Sequence, residues 1–310
     1  MNEAKPVSDG GLEAVLRAGH FAVTAETAPP DSANAADVIA RAGCLKGLAD
    51  AVNVLDGAAA RAHLSPLAAA GILAREGIEP VIQFTMRDRN RLALEADVLG
   101  AAALGVPNLL CLTGDSVEAG DQPDAKPVFD LKSAEFMAIV RDMRDNSVFP
   151  GGREITSPPR LLIGAADAPH DPAPDFKPNA LLAKIEAGAN FFQTQFCFDM
   201  AALRNYMVRL ADFGVTEKAW FLIGIGPIAS AKSARWMNEN LYGVHIPDEI
   251  IARLESAADA RAEGRAICIE LIEALKDIPG VAGAHLMAPH GEAAAAQVIA
   301  DSGVLATRGT

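Results

Sequence analysis

The feature that most constrains this chain is an alternation. Eight short apolar runs, at 21–27, 51–55, 81–85, 108–112, 160–165, 190–195, 219–223 and 284–287, are separated by longer amphipathic stretches. The short runs are apolar on both faces, as parallel strands covered by helices must be. The intervening stretches carry helix punctuation. Pro29-Pro30 closes the first run, Ser65-Pro66 supplies an N-cap followed by proline, and Gly77 and Gly105 stop two helices. Helices are expected over about 31–48, 66–76, 88–104 (with Asp88 as cap), 133–144, 179–187, 200–213, 230–238, 247–260, 264–277 and 292–301.

Eight such units in 310 residues is the size of a (β/α)₈ barrel of the TIM type, an α/β fold. A doubly wound open sheet would alternate similarly. However, no GxGxxG follows the first run, and GxxxxGK[ST] is absent. A single domain over 1–310 is expected, with 1–18 and 304–310 at its periphery.

Charge narrows the function. With 27 Lys+Arg against 40 Asp+Glu the net charge is −13, which argues against a nucleic-acid binder but not against an anionic small substrate. The four cysteines form no CxxC pair and the six histidines no HxH or HxxxH, so buried reduced thiols and no metal site are expected. The start lacks the apolar core of a signal peptide, and no apolar run is long enough for a membrane span. A cytoplasmic, membrane-free protein is the expectation.

In a parallel barrel the chemistry gathers at the carboxyl ends of the strands. The first strand ends in Glu26, inside the apolar VTAETAPP. Desolvation there would raise its pKa and make it a general acid; the alternative is a strand-end glutamate paired to a neighbouring Arg or Lys. Asp115 follows the fourth strand in LTGD, either beside a ligand or as a turn residue capping its own loop. Gln195, in FFQTQFCFD, suits the edge of a heterocycle such as a pterin, or is a buried structural amide. Arg87 to Asn90 either contact phosphate or ribose, or simply start a helix.

Taken together, ETAPP at 26–30, VNVLDG at 52–57, GIEPVIQFTMRDRNR at 77–91, LGAAALGVPNLLCLTGD at 99–115, KIEAGANFFQTQFCFD at 184–199, IGPIASAKSARWMNE and GVHIPD resemble methylenetetrahydrofolate reductases. The resemblance runs from about 21 to 303 and rests on the order and spacing of the pieces. It implies FAD at the carboxyl ends of the strands and a ping-pong cycle, in which NADH or NADPH reduces FAD and 5,10-methylenetetrahydrofolate is then reduced to 5-methyltetrahydrofolate. It makes Glu26 the general acid and Asp115 a catalytic charge beside the flavin. Gln195 and Met237 become substrate contacts. Leu55, Gln83, Thr85, Arg87, Thr113, Gly114, Asp115, Phe129, Ala166 and Lys184 become flavin contacts.

Some positions depart from the better-known members. Leu55 stands for Thr, Gln83 for His and Thr113 for Arg, and Ala168 and Ala180 replace common polar contacts, whereas Lys184 is retained. A homo-oligomer is expected, with no nucleic-acid or membrane partner and no adenosylmethionine control. Two other readings remain: a reductase fed by a partner electron-transfer protein, and a folate-binding paralogue that has lost flavin.

Overall fold

Parallel strands cannot be joined by tight hairpins, so each return must cross the sheet through a helix. The computed structural model describes residues 5–306 and follows that rule throughout. In chain order it runs α1 (Gly11–Arg17), β1 (Ala22–Thr27), α2 (Ala35–Ala42), β2 (Ala51–Val54), α3 (Pro66–Arg75), β3 (Pro80–Thr85), α4 (Arg91–Ala103) and β4 (Asn108–Leu112). It continues with α5 (Ser133–Asp145), β5 (Leu162–Asp167), α6 (Asn179–Glu186), β6 (Phe191–Phe196), α7 (Met200–Asp212) and β7 (Trp220–Ile225). The last elements are α8 (Ala231–Asn240), α9 (Asp248–Ser256), α10 (Ala260–Lys276), β8 (Val281–Leu286) and α11 (Glu292–Ser302). The strands pair in sequence order, all parallel, and β8 returns to β1, so the expected (β/α)₈ barrel is closed.

Alternation along each strand sorts the side chains. Val23, Ala25, Val52 and Val54 face outward into the core shared with the helices. Ala22, Ala51, Val81, Leu110, Leu162, Phe191 and Leu222 face inward and fill the amino-terminal end of the barrel. Gly164 makes room there: a Cβ on it would stand 2.4 Å from the Phe191 ring. The next inward positions up the barrel are Thr24, Asn53, Gln83 and Gln193, and the mouth layer above them begins with Glu26.

Three expectations need correction. Residues 1–18 are not peripheral as a whole, because α1 plugs the barrel floor with Leu12 and Leu16, 0% and 2% exposed. Nor is Val304 peripheral, being fully buried; residues 1–4 and 307–310 lie outside the described residues. Asp88 does not cap a helix. It is held by the Arg87 guanidinium, and α4 starts later with the Asn90 side chain accepting from Ala93 N at 3.1 Å. The second helix is also shorter than expected: Asn34 caps α2, which passes into a 3₁₀ turn at Gly43–Leu45.

The floor contact yields a test. Leu12→Ala should cost about 2–4 kcal/mol of stability through the cavity it leaves, read as a lower urea midpoint with unchanged far-UV circular dichroism. An unchanged midpoint would mean that α1 does not seal the barrel.

Candidate active site

The mouth of the barrel has one carboxyl group set into an apolar wall. Glu26 sits on the inward side of β1, its side chain 13% exposed. The pairing with Arg or Lys that sequence reasoning left open is not found: among the described residues its charge-capable contact is His285 Nε2 on β8, 3.9 Å from Oε2. Burial, and secondarily the negative charge of Glu292, push the Glu26 carboxyl up to about 8, so it is protonated at neutral pH. Glu292, in the first turn of α11, accepts a hydrogen bond from Thr27 Oγ1 at 2.8 Å.

Beneath Glu26 lies a polar layer that sequence reasoning did not single out as a site. Asn53 Nδ2 donates to Gln193 Oε1 at 2.6 Å, and Gln193 Nε2 donates back to Asn53 Oδ1 at 3.0 Å. Gln193 Nε2 also reaches Thr24 Oγ1 at 3.0 Å, and Thr24 Oγ1 lies 3.0 Å from His285 Nδ1. All four residues are buried, and burial pulls the His285 pKa down to about 3, leaving the ring neutral. The signal was present in the sequence as polar residues two positions from Glu26 and Gln195. It could be read only once the inward positions were known.

The expected flavin-contacting residues gather on one half of the mouth, over β2 to β5. Leu55 follows β2 and is half-buried, with its N–H donating to Thr27 O at 3.2 Å. Gln83 and Thr85 point inward from β3, and Asp56 accepts from both the Thr85 amide and hydroxyl. Arg87 is 3% exposed and fully engaged: it binds Asp88, the Gly57 carbonyl and the Asp115 carbonyl. It thereby ties together the loops after β2, β3 and β4. Val128 N donates to Arg87 O at 2.7 Å, which brings the partly exposed Phe129 to the same place. Thr113 and Asp115 are exposed, and Gly114 between them takes φ +92°, a left-handed conformation that disfavours a side chain. The Asp115 carboxylate makes no hydrogen bond among the described residues, so it is not a self-capping turn residue. Across β5, Lys184 Nζ donates to Ala166 O at 2.7 Å.

The expected substrate contacts lie beyond β5, on β6 and α8. Gln195 Oε1 accepts from Phe196 N at 2.9 Å, leaving its amide NH₂ to meet a ligand. Met237, on α8, lines a cavity of about 870 Å³ over β7 and β8, together with Phe196, Trp236, Met287 and His290. Because β1 pairs with both β2 and β8, Glu26 stands where the two halves meet.

Leu55, Ala166 and the bare Gly114 backbone, edged by the Gln83 amide and the Thr113 hydroxyl, fit a flat heterocycle such as a flavin ring. A diphosphate tail would need the cations of Lys184, held now by one carbonyl, and Arg87, held by the half-exposed Asp88 and by the Gly57 and Asp115 carbonyls.

The profile of the methylenetetrahydrofolate reductase family matches residues 11–303. A "Probable methylenetetrahydrofolate reductase (NADPH)" of Caenorhabditis elegans is 25% identical over 244 residues, covering 76% of this chain and 34% of that protein; the chain spans about a third of its relative's length. Among solved structures, an uncharacterized Clostridium thermocellum protein that binds two copies of 5-methyl-5,6,7,8-tetrahydrofolic acid superposes with a TM-score of 0.64 at 15% identity, covering 94% of this chain and 98% of its own. An F420-dependent secondary alcohol dehydrogenase has a TM-score of 0.56 at 15% identity, covering 86% of this chain and 93% of its own. At such identities these likenesses concern the fold. The match over residues 11–303 decides the family: the chain belongs to the methylenetetrahydrofolate reductases.

Proposed function

We propose that this protein reduces 5,10-methylenetetrahydrofolate to 5-methyltetrahydrofolate, with reducing equivalents from NADH or NADPH passing through FAD. The observation that carries the proposal is Glu26, a carboxyl group kept protonated by burial where the two halves of the mouth meet. The reaction needs one proton and one hydride. Protonation of the folate nitrogen lets the bridging carbon–nitrogen bond break, its electron pair going to that nitrogen and leaving an iminium carbon. Hydride addition to that carbon gives the methyl group. FAD, when bound, supplies the hydride relay between the pyridine nucleotide and the folate.

The chain's own residues supply the rest. Glu26 donates the proton. Leu55, Gln83, Thr85, Thr113, Gly114 and Ala166 would hold the ring system, with Arg87, Phe129 and Lys184 around its tail. Gln195 offers its amide to the pterin edge, and Met237 lines the apolar cavity for the remainder of the folate. Asp115 presents an exposed carboxylate near the Arg87 guanidinium but not hydrogen-bonded to it, suited to stabilising a cationic iminium. The C. thermocellum protein's binding of a methylated tetrahydrofolate supports the choice of substrate class.

The deciding experiment is anaerobic spectroscopy of the purified protein with FAD. NADH or NADPH should bleach the flavin and methylenetetrahydrofolate should restore its colour. A protein that takes up no flavin yet binds folate would be a binding paralogue. One bleached only by a chemical reductant would need an electron-transfer partner.

Glu26→Gln should keep flavin reduction and lower folate reduction by at least about 10²-fold; equal loss of both half-reactions would contradict the assigned role. Asp115→Asn should slow mainly the folate half-reaction, by about 10-fold or more, and an unchanged rate would remove Asp115 from the chemistry. Stability offers a check that needs no substrate. Folded Glu26 keeps its proton to about pH 8, whereas the ordinary value is 4.5, so its contribution falls as pH rises through that window. Folded His285 titrates at about 3 against an ordinary 6.5, so its contribution is lost as pH falls below 6.5. Between about pH 6.5 and 8 only Glu26 of the two acts. Over that range the melting temperature of Glu26→Gln should rise relative to wild type, and parallel curves would mean that Glu26 is already ionised in the fold.

A further inference from the structure

A buried acid that gives up its proton leaves a buried anion, and that anion needs a donor. Among the described residues, no lysine or arginine pairs with Glu26. The charge facing it from α11 is Glu292, which is negative and held by Thr27. Cys44, in the turn after α2, is an exposed thiol, against the expectation of buried ones, and it brings no positive charge. From the barrel interior the polar neighbours are Thr24, Asn53 and Gln193, engaged with one another. His285 on β8 is the remaining titratable group, with Nε2 at 3.9 Å from Glu26 Oε2.

What His285 can do depends on where its single proton sits. Its Nδ1 is 3.0 Å from the Thr24 hydroxyl and 3.3 Å from Gln193 Nε2. The two hydrogens of the Gln193 NH₂ go to Asn53 Oδ1 and Thr24 Oγ1, which leaves the Thr24 hydroxyl to donate its own hydrogen to Nδ1. Nδ1 therefore accepts, and the proton of the neutral ring is on Nε2, toward Glu26. The opposite orientation of both amides would place it on Nδ1.

We propose that His285 is a positioning residue for Glu26: its Nε2–H closes onto the carboxylate formed when Glu26 protonates substrate, and Thr24, Gln193 and Asn53 lock the ring in the tautomer that permits this. The inference rests on Glu26 being the proton donor. In the step, the Glu26 O–H bond breaks and an N–H bond forms on the substrate. The electron pair stays on the carboxylate, the gap to Nε2 shortens to a hydrogen bond, and water returns the proton after product leaves. The ring stays neutral throughout, because burial disfavours its charged form and the step needs from it only an N–H donor.

Two measurements decide it, neither of which needs turnover. In protein labelled with ¹⁵N-histidine, the resonance missing from His285→Gln identifies the ring, and wild type at pH 7 should show the Nε2–H tautomer. Finding the Nδ1–H tautomer overturns the proposal. Infrared titration of the protonated-carboxyl band that Glu26→Gln removes then reads the Glu26 proton directly. His285→Leu should raise its midpoint by about one unit, and His285→Gln, whose amide nitrogen can occupy the place of Nε2, should restore most of the shift. An unmoved midpoint in a folded His285→Leu protein overturns the role. If the leucine variant does not fold, the wild-type tautomer and the glutamine titration still decide. A protein that proved unable to reduce folate would fail the proposed function while leaving both readouts intact.

Discussion

The interior of a closed parallel barrel must be filled, and one layer of this barrel is filled by hydrogen bonds instead of hydrocarbon. Thr24, Asn53, Gln193 and His285 satisfy one another across the centre, joining β1, β2, β6 and β8. Each group alone would cost on the order of 1–3 kcal/mol if buried without a partner; together they are compensated and fix four strands in one register. Below them the filling is apolar and closed by α1. Above them stands Glu26, which the layer separates from the hydrocarbon floor without giving it a cation. A carboxyl group in that position stays protonated at neutral pH because burial outweighs what the neutral His285 ring can offer its ionised form.

The mouth is divided between two kinds of surface. Over β2 to β5 the loops are cross-linked through Arg87, Asp56 and Asp88, and their free groups are small. Over β7 and β8 there is an apolar cavity bounded by Met237 and Trp236. Glu26 and Gln195 lie on the strands between these halves. A protonated carboxyl group so placed borders both surfaces.

Much of this was legible in the sequence because parallel strands buried on both faces advertise themselves as apolar runs. A charged residue inside such a run, as Glu26 is, stands out by its cost. Helix α1 was not legible: seven residues with two buried leucines carry too little periodicity to announce a helix. Asp88 looked like a cap because nothing in the sequence says that Arg87 will claim it. The polar layer stayed hidden for a different reason. His285 meets Thr24 only because β8 and β1 pair at that position, and Gln193 reaches both across the barrel. Closure of the sheet sets those meetings, and local pattern does not encode it.

The loops after β2 and β4 also touch directly. Gly120 lies so close to Ala60 that a Cβ on it would stand 2.0 Å from the Ala60 carbonyl oxygen. Ala60 itself holds a left-handed conformation, with φ 54°. The two loops therefore form one rim segment contributed by different βα units. Residues inserted into either would have to be matched by the other, so this side of the mouth should vary in sequence as a correlated pair, while the cavity side over β7 and β8 is free to be reshaped alone.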